Sequence, residues 1–291
     1  MQNVPYQNPG QLFIKKFGVP HTIDDVISYA DFLREAAGLS DQPPIDLTRI
    51  FDYFGIKSRQ APLVDQQGTS DGRLGFMLIK DDDPATRQRF SEAHELIEFL
   101  FHHYKNLPEW GHSYFATHNT TKEKLCQKGA SALLMPRSSF VPAMLKNEFS
   151  FEGASNLAGI YETSLLATLY RMLAECENER LLVVWRLALK PTQEMNEAQP
   201  SLFENNLNVL PQKKLRIWWA VNSAEASNEF IPAHQSIPND SIIASVFETG
   251  HLQKGSELLR LRGVYGRYNI EAKKVNIADE TCVLSLLHRP T

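Results

Sequence analysis

The segment ATRQRFSEAHELIEFLFHHY, residues 85–104, constrains the fold of this chain more than any other. Its apolar side chains recur at helical intervals, at Phe90, Ala93, Ile97, Leu100 and Phe101. This spacing puts them on one face of an α-helix and predicts that the helix is mostly buried. Because buried polar groups need partners, the fold must also satisfy His94, Glu95 and Glu98, which the same helix carries.

The spacing of these three polar residues is suited to a hydrolytic metal site. His94 and Glu98 lie one helical turn apart and could hold the same ion. Glu95 is rotated by one residue, so its carboxylate would sit beside the open position of the ion and could take a proton from metal-bound water. A catalytic zinc has three protein ligands and a water. Glu123, on the next predicted helix, is the candidate third ligand.

Two motifs together resemble a known family. The stretch RQRFSEAHELIEFLFHH, followed by EKLCQKGASALLMP, is similar to the ImmA/IrrE family of metallo-endopeptidases, whose pattern is R-x-x-F-T-x-A-H-E-x-G-H-x-x-x-H and then E-x-E-A-N-x-F-A-A-x-L-L-M-P. The matched positions in the first motif are Arg87, Phe90, Ala93, His94, Glu95 and His102. The LLMP of residues 133–136 places Glu123 on the first glutamate of the second motif. The resemblance covers roughly residues 23–175.

The chain departs from this pattern around the expected metal. Glu98 replaces the second histidine, Ile97 replaces the usual glycine, and Cys126, Gln127 and Gly129 replace the usual Ala-Asn and Phe. A carboxylate can still bind zinc, but the exchange favours harder ions such as manganese. The extra negative charge should also make metal-bound water less acidic. The resemblance implies zinc, and manganese or another divalent metal is the alternative.

Several alternatives stay open at this stage. His94 and Glu98 could be an ordinary helical pair one turn apart. His102 could support the site from behind a ligand, or could itself bind if the helix distorts. Cys126 lies on the same helical face as Glu123 and could be a thiolate ligand, although a buried structural cysteine is the simpler interpretation.

The hydrophobic pattern changes near residue 180, from helical periodicity to short strands separated by Pro, Gly and Asn. The predicted fold class is therefore α+β. We expect a mostly helical, zincin-like peptidase domain with a small sheet at residues 1–140, and a helical segment resembling a helix-turn-helix at 141–178. A β-rich domain, GAF-like or similar, is expected at 179–291. The strand RLGFMLIK, residues 73–80, could be an edge that pairs with substrate or an interior strand.

The net charge of −4 excludes a strongly basic protein that coats nucleic acid. Local basic and aromatic stretches remain, and their candidate nucleic-acid contacts are Lys213, Lys214, Arg216, Arg260, Arg262 and Arg267. Cations could hold phosphates while nearby rings stack on bases. An alternation of charged and aromatic residues is also typical of a strand whose charges face solvent and whose rings pack in the core. We favour this structural interpretation.

The resemblance implies a metal-dependent endopeptidase whose substrate is a helix-turn-helix repressor, acting in a stress or phage-defence response, with single-stranded DNA as a candidate activator. The alternative is a degenerate peptidase fold that senses a ligand or nucleic acid without cutting. Three widely separated cysteines, a start unlike a signal peptide and no run of 18 apolar residues predict a cytoplasmic protein without a membrane partner.

Overall fold

The computed structural model of the protein describes residues 4–104, 122–192, 212–223, 230–277 and 280–290. Contacts within the chain divide it into two compact units. The first unit consists of Met1–Glu148 and Gly153–Thr168, and the second of Phe149–Glu152 and Leu169–Thr291. The domain boundaries expected from the sequence, at residues 140 and 178, stay predictions.

The first unit is mainly helical and contains a small sheet. Its helices are α1 (Pro9–Phe17), α2 (Ile23–Ala36), α3 (Leu47–Phe54), α4 (Ala85–Tyr104), α5 (Lys122–Leu134) and α6 (Arg137–Leu145). Its strands are β1 (Lys57–Ala61), β2 (Gly68–Asp71) and β3 (Phe76–Lys80). Two further helices, α7 (Phe151–Tyr161) and α8 (Leu165–Glu175), are each divided between the units. The expected resemblance of segment 141–178 to a helix-turn-helix stays a prediction.

Local sequence signals explain where the early helices begin and end. The Thr22 hydroxyl accepts a hydrogen bond from the backbone N–H of Asp25, whose carboxylate accepts one from the Thr22 N–H, so a capping box begins α2. Asp46 caps the start of α3, and Gly55, at φ 68°, ends it in the left-handed conformation that glycine adopts without strain. Both helices therefore begin at residues that favour a helix start, and α3 also ends at one that favours a helix end.

The small sheet has the strand order β1-β3-β2, with β1 parallel and β2 antiparallel to β3. β3 is therefore the interior strand, which confirms one of the two alternatives for RLGFMLIK. The edge beside it is β2, whose residues have the composition of a turn. Residues 68–71 form a strand because they pair with β3, for example Thr69 with Leu78. The hydrogen bonds of this pairing outweigh the local preference for a turn.

Helices α4 and α5 pack closely where a glycine of one faces an isoleucine of the other. A Cβ at Gly129 would lie 2.8 Å from Cγ2 of Ile97 and 3.0 Å from its Cγ1. These are two of the positions at which the chain departs from the ImmA/IrrE pattern, which has Gly in place of Ile97 and Phe in place of Gly129. In this chain the large side chain is on α4 and the glycine on α5, so the two departures lie in the same packing contact.

Replacing Gly129 with alanine should lower the free energy of unfolding by about 1–3 kcal/mol, because the added methyl group overpacks this contact. Chemical denaturation measures the loss. Gly159→Ala is the matched control, since a Cβ there has no atom within 4 Å and alanine should stabilise α7 by about 0.5–1 kcal/mol. In an Ile97→Ala background the cost of Gly129→Ala should fall sharply; an unchanged cost would show that the two residues are not coupled.

The second unit is built on an antiparallel sheet. Its strands are β4 (Leu181–Ala188), β5 (Lys214–Asn222), β6 (Gln253–Leu261), β7 (Val264–Ile277) and β8 (Glu280–His288), with helix α9 (Ile242–Thr249) between β5 and β6. The strand order is β5-β4-β8-β7-β6. In the core, the indole N–H of Trp185 donates to the Ser285 hydroxyl at 2.7 Å. The α+β class and the β-rich C-terminal region are confirmed; the comparison with a GAF domain stays a prediction.

None of the helices in the described ranges combines the length and the apolar character that crossing a membrane would require.

Candidate metal centre

Helices α4 and α5 bring three of the predicted residues together. His94 Nε2 lies 3.9 Å from Glu98 Oε2 on the same helix and 3.6 Å from Glu123 Oε2 on α5. Two ligand atoms that share a tetrahedral zinc lie about 3.4 Å apart, given metal–ligand distances near 2.1 Å. His94 therefore lies at about this distance from each of the two carboxylates.

Cys126 also faces this site and is more deeply buried than Glu123. The ligand atoms of His94, Glu98 and Cys126 all lie within 4.8 Å of one another. Cys126 is fully buried, whereas the Glu123 side chain is 60% exposed and accepts a hydrogen bond from Gln127 at 3.0 Å. Both residues face the site because they are three positions apart on α5. Cys126 lies at its buried end and Glu123 at its solvent-facing end.

Glu98 is held as an anion by two neighbours. Its Oε1 accepts hydrogen bonds from the Lys122 ammonium and, at 3.2 Å, from His102 Nε2. The bond from His102, together with the bond and charge of Lys122, lowers the pKa of Glu98 to about 2 against the opposing effect of burial. One oxygen is thus engaged by donors, and the other faces His94.

His102 supports Glu98 from one turn further along α4. Its Nδ1 accepts a hydrogen bond from the backbone N–H of Gly72 at 3.0 Å, so Nε2 carries a proton and donates to Glu98. A Cβ at Gly72 would lie only 2.8 Å from Cβ of His102, which explains glycine at this position. Both ring nitrogens of His102 are therefore engaged in this structure, and one of them holds the candidate ligand Glu98.

Glu95 is a buried carboxyl, only 4% exposed, beside the candidate ligands. Burial raises its pKa to about 7; the nearby Ser70 hydroxyl opposes this rise and the charge of Glu98 adds to it. Its Oε2 has no hydrogen-bond partner among the described residues. A Cβ at Gly68 of β2 would lie 2.9 Å from its other oxygen, so glycine makes room for this carboxyl. A proton acceptor whose pKa is near neutral is what general base catalysis needs.

His94 is in the form that metals bind. Burial lowers its pKa, and the charge of Lys122 lowers it further, although the carboxylates of Glu123 and Glu98 oppose both effects. The imidazole is therefore neutral near pH 7 and can offer a lone pair. The site therefore offers an imidazole nitrogen, a carboxylate and a thiol, which are donors suited to a divalent transition metal. Beside them lies the buried carboxyl oxygen of Glu95 that has no partner in the described part of the chain.

The candidate nucleic-acid residues do not form one group. Arg216 is 3% exposed, and its guanidinium donates to the carbonyls of Ala188 and His234. The exposed Lys213 and Lys214 lie at the start of β5, which is one edge of the second sheet. The remaining arginines are exposed on or beside the β6–β7 hairpin at the other edge: Arg260, Arg262 and Arg267.

The tryptophans of β5 have partners within the protein. The indole N–H of Trp219 donates to the Tyr170 hydroxyl at 2.6 Å, and the guanidinium of Arg186 stacks 4.5 Å from the ring centre of Trp218. These contacts favour the structural interpretation of the basic and aromatic alternation in this strand.

Four residues of the site were not anticipated from the sequence: Gly68, Ser70, Gly72 and Lys122. The first three belong to QGTSDGR, whose composition indicates a turn and carries no chemical motif. Lys122 directly precedes Glu123, and this adjacency was the only signal that could have drawn attention to it.

The comparison with protein families agrees with this geometry. Residues 51–173 match the model of a peptidase family described as the IrrE N-terminal-like domain. The match spans α4 and α5 and therefore every candidate metal residue. Over these residues the chain matches the IrrE N-terminal-like domain of a peptidase family, which confirms the resemblance drawn from the two motifs.

A solved structure extends the likeness in fold. A Mycobacterium tuberculosis transcriptional regulator is similar over 96% of this chain and 79% of its own, with a TM-score of 0.59 and 12% sequence identity. At this identity the likeness shows the fold alone. A search of curated protein sequences gave no match.

Proposed function

We propose that the protein is a metal-dependent endopeptidase that cleaves a regulatory protein. The observation that supports this most is the arrangement on α4 and α5: His94 and Glu98 face the same point as the donors of α5, and Glu95, with a pKa of about 7, lies beside them. His94 and Glu98 supply two ligands. Glu123 is the third ligand implied by the family resemblance.

The residues of this site divide the work of hydrolysis. When bound, the metal supplies a Lewis acid that lowers the pKa of water and polarises the scissile carbonyl. Glu95 takes the proton of the attacking water on its unpartnered Oε2 and delivers it to the leaving amine. His102 and Lys122 keep Glu98 ionised and fixed in orientation. The strand β2, at the edge of the small sheet and adjacent to Glu95 at Gly68, offers backbone groups to which an extended peptide can pair.

We propose a helix-turn-helix transcriptional repressor as the substrate, in a stress or phage-defence response, with single-stranded DNA as the candidate activator. The match to the IrrE N-terminal-like domain supports a role in regulation, and the structural neighbour is itself a transcriptional regulator. Zinc is the proposed metal, with manganese as the alternative. The free cysteines Cys126, Cys176 and Cys282 suit a reducing compartment, and we place the activity in the cytoplasm.

The function is tested by incubating the purified full chain with a helix-turn-helix repressor encoded beside it. We expect about one equivalent of divalent metal, cleavage at a defined bond, loss of cleavage with a chelator and recovery when metal is restored. Intact repressor in the presence of bound metal and candidate activators would refute the peptidase proposal for that substrate.

A second candidate is a binding module that has kept the fold without the chemistry. It is favoured by the ion pair of Lys122 with Glu98, which places a protein cation beside a candidate metal ligand. In that case the purified chain would carry no metal, and metal addition would leave its thermal stability unchanged.

A further inference from the structure

Cys126 differs from an ordinary core cysteine in what surrounds it. Its sulfur belongs to the group of ligand atoms that includes His94 and Glu98, all within 4.8 Å of one another. The charges of Glu98, Lys122, Glu123 and Glu95 all act on the thiol. A cysteine with only a packing role would be placed among apolar side chains, whereas this one faces the imidazole of His94 and the carboxylate of Glu98 from the buried end of the site.

We propose that the metal ligands of this chain are His94 Nε2, Glu98 Oε2 and the thiolate of Cys126, and that the site therefore takes a thiophilic divalent ion. This inference rests on the proposed function and replaces Glu123, the family's third ligand, with a residue particular to this chain. Three protein ligands leave the fourth position of a tetrahedral ion open for water, as in catalytic sites.

Burial distinguishes the two candidates for the third ligand. Cys126 is fully buried and is fixed by the packing of α5. The Glu123 carboxylate is largely exposed and already has a hydrogen bond from Gln127. A buried ligand loses little conformational freedom on binding, whereas an exposed glutamate must be ordered.

The proton of the thiol must also be accounted for. Burial raises the pKa of Cys126 well above its ordinary value, so the metal-free protein holds the thiol form. A bound divalent cation deprotonates a coordinating thiol, and the proton leaves to solvent. The resulting thiolate is a soft ligand that favours zinc or cobalt(II) over manganese and magnesium. The sulfur thus opposes the preference for a harder ion that Glu98 would otherwise create.

The test is a titration of the metal-free full chain with cobalt(II), followed by absorption spectroscopy and calorimetry. We expect about one equivalent to bind, with a sulfur-to-cobalt charge-transfer band in the near ultraviolet. Cys126→Ser should abolish the band and weaken binding by more than about tenfold, in the range of losses seen when metal sites lose a supporting residue. Glu123→Gln and the control Cys176→Ser/Cys282→Ser should keep the band.

The outcomes separate this inference from the proposed function. If cobalt binds without a charge-transfer band, and Glu123→Gln rather than Cys126→Ser loses affinity, the thiolate proposal is wrong and the peptidase proposal stands with Glu123 as the ligand. If neither the unmodified chain nor any variant binds cobalt or zinc, the thiolate proposal and the peptidase proposal are both wrong. The band of the unmodified chain needs no variant, so the proposal stays testable even if Cys126→Ser fails to fold.

Discussion

Replacing Glu95 with glutamine is expected to lower the rate of peptide cleavage by about 10²- to 10⁴-fold, the usual contribution of a general base, without loss of bound metal. Glutamine has the same shape but cannot take a proton from water. Glu95 is the buried carboxyl whose pKa is raised to about 7 and whose Oε2 lacks a hydrogen-bond partner in the described part of the chain. The measurement is kcat/KM on the cleaved repressor, together with metal content.

Glu92→Gln is the matched control for this variant. Glu92 is a partly buried glutamate of the same helix, but it accepts a hydrogen bond from Ser58 at 3.0 Å and is not one of the site residues described above. It should therefore retain cleavage. Equal activity of Glu95→Gln and the unmodified protein would remove Glu95 from the mechanism, whereas loss of metal along with activity would assign it to metal binding.

In the metal-free protein, Glu95→Gln should also raise the free energy of unfolding at pH 8, by up to about 3 kcal/mol. Burial, with a smaller contribution from the charge of Glu98, raises the folded pKa of Glu95 to about 7 from an ordinary value of 4.5. His102, Lys122 and Ser70 act in the opposite direction. One pKa unit corresponds to about 1.4 kcal/mol, which sets the size of the effect.

The sign follows from proton binding. Between pH 4.5 and 7 the folded state holds the Glu95 proton and the unfolded chain does not, so the contribution of Glu95 to stability falls as pH rises through this window. Glutamine does not ionise. Urea denaturation in the presence of a chelator should show the two proteins diverging from pH 4 to pH 8, with the glutamine variant more stable at the higher pH. A constant difference across this range would mean that Glu95 is not a buried ionisable group.

The sequence predicted the parts of the site that depend on one helix. The apolar spacing of residues 90–101 identified α4, and helical geometry placed His94 and Glu98 on one face with Glu95 beside them. Gly55, which ends α3, is a local signal of the same kind. These features are local, and the spacing of a few residues is enough to determine them.

Features that depend on distant contacts were not predictable in this way. The strand β2 looks like a turn until it pairs with β3. Arg216 is a cation in a basic and aromatic stretch and was a candidate nucleic-acid contact, yet its guanidinium donates hydrogen bonds to carbonyls inside the second unit. The hydrogen bond of Gly72 to His102 joins residues 30 positions apart. In each case the partner lies far away in the chain, and residue spacing carries no information about it.

The ammonium of Lys122 changes how the histidine-to-glutamate exchange at position 98 affects the site. A divalent ion held by one imidazole and two anionic ligands has no net charge, whereas one held by two imidazoles and a carboxylate keeps one positive charge. Lys122 donates a hydrogen bond to Glu98. Its ammonium would therefore restore one positive charge to the site, next to the ligand Glu98. The acidity of a water molecule held there would then depend on a lysine that never touches the metal.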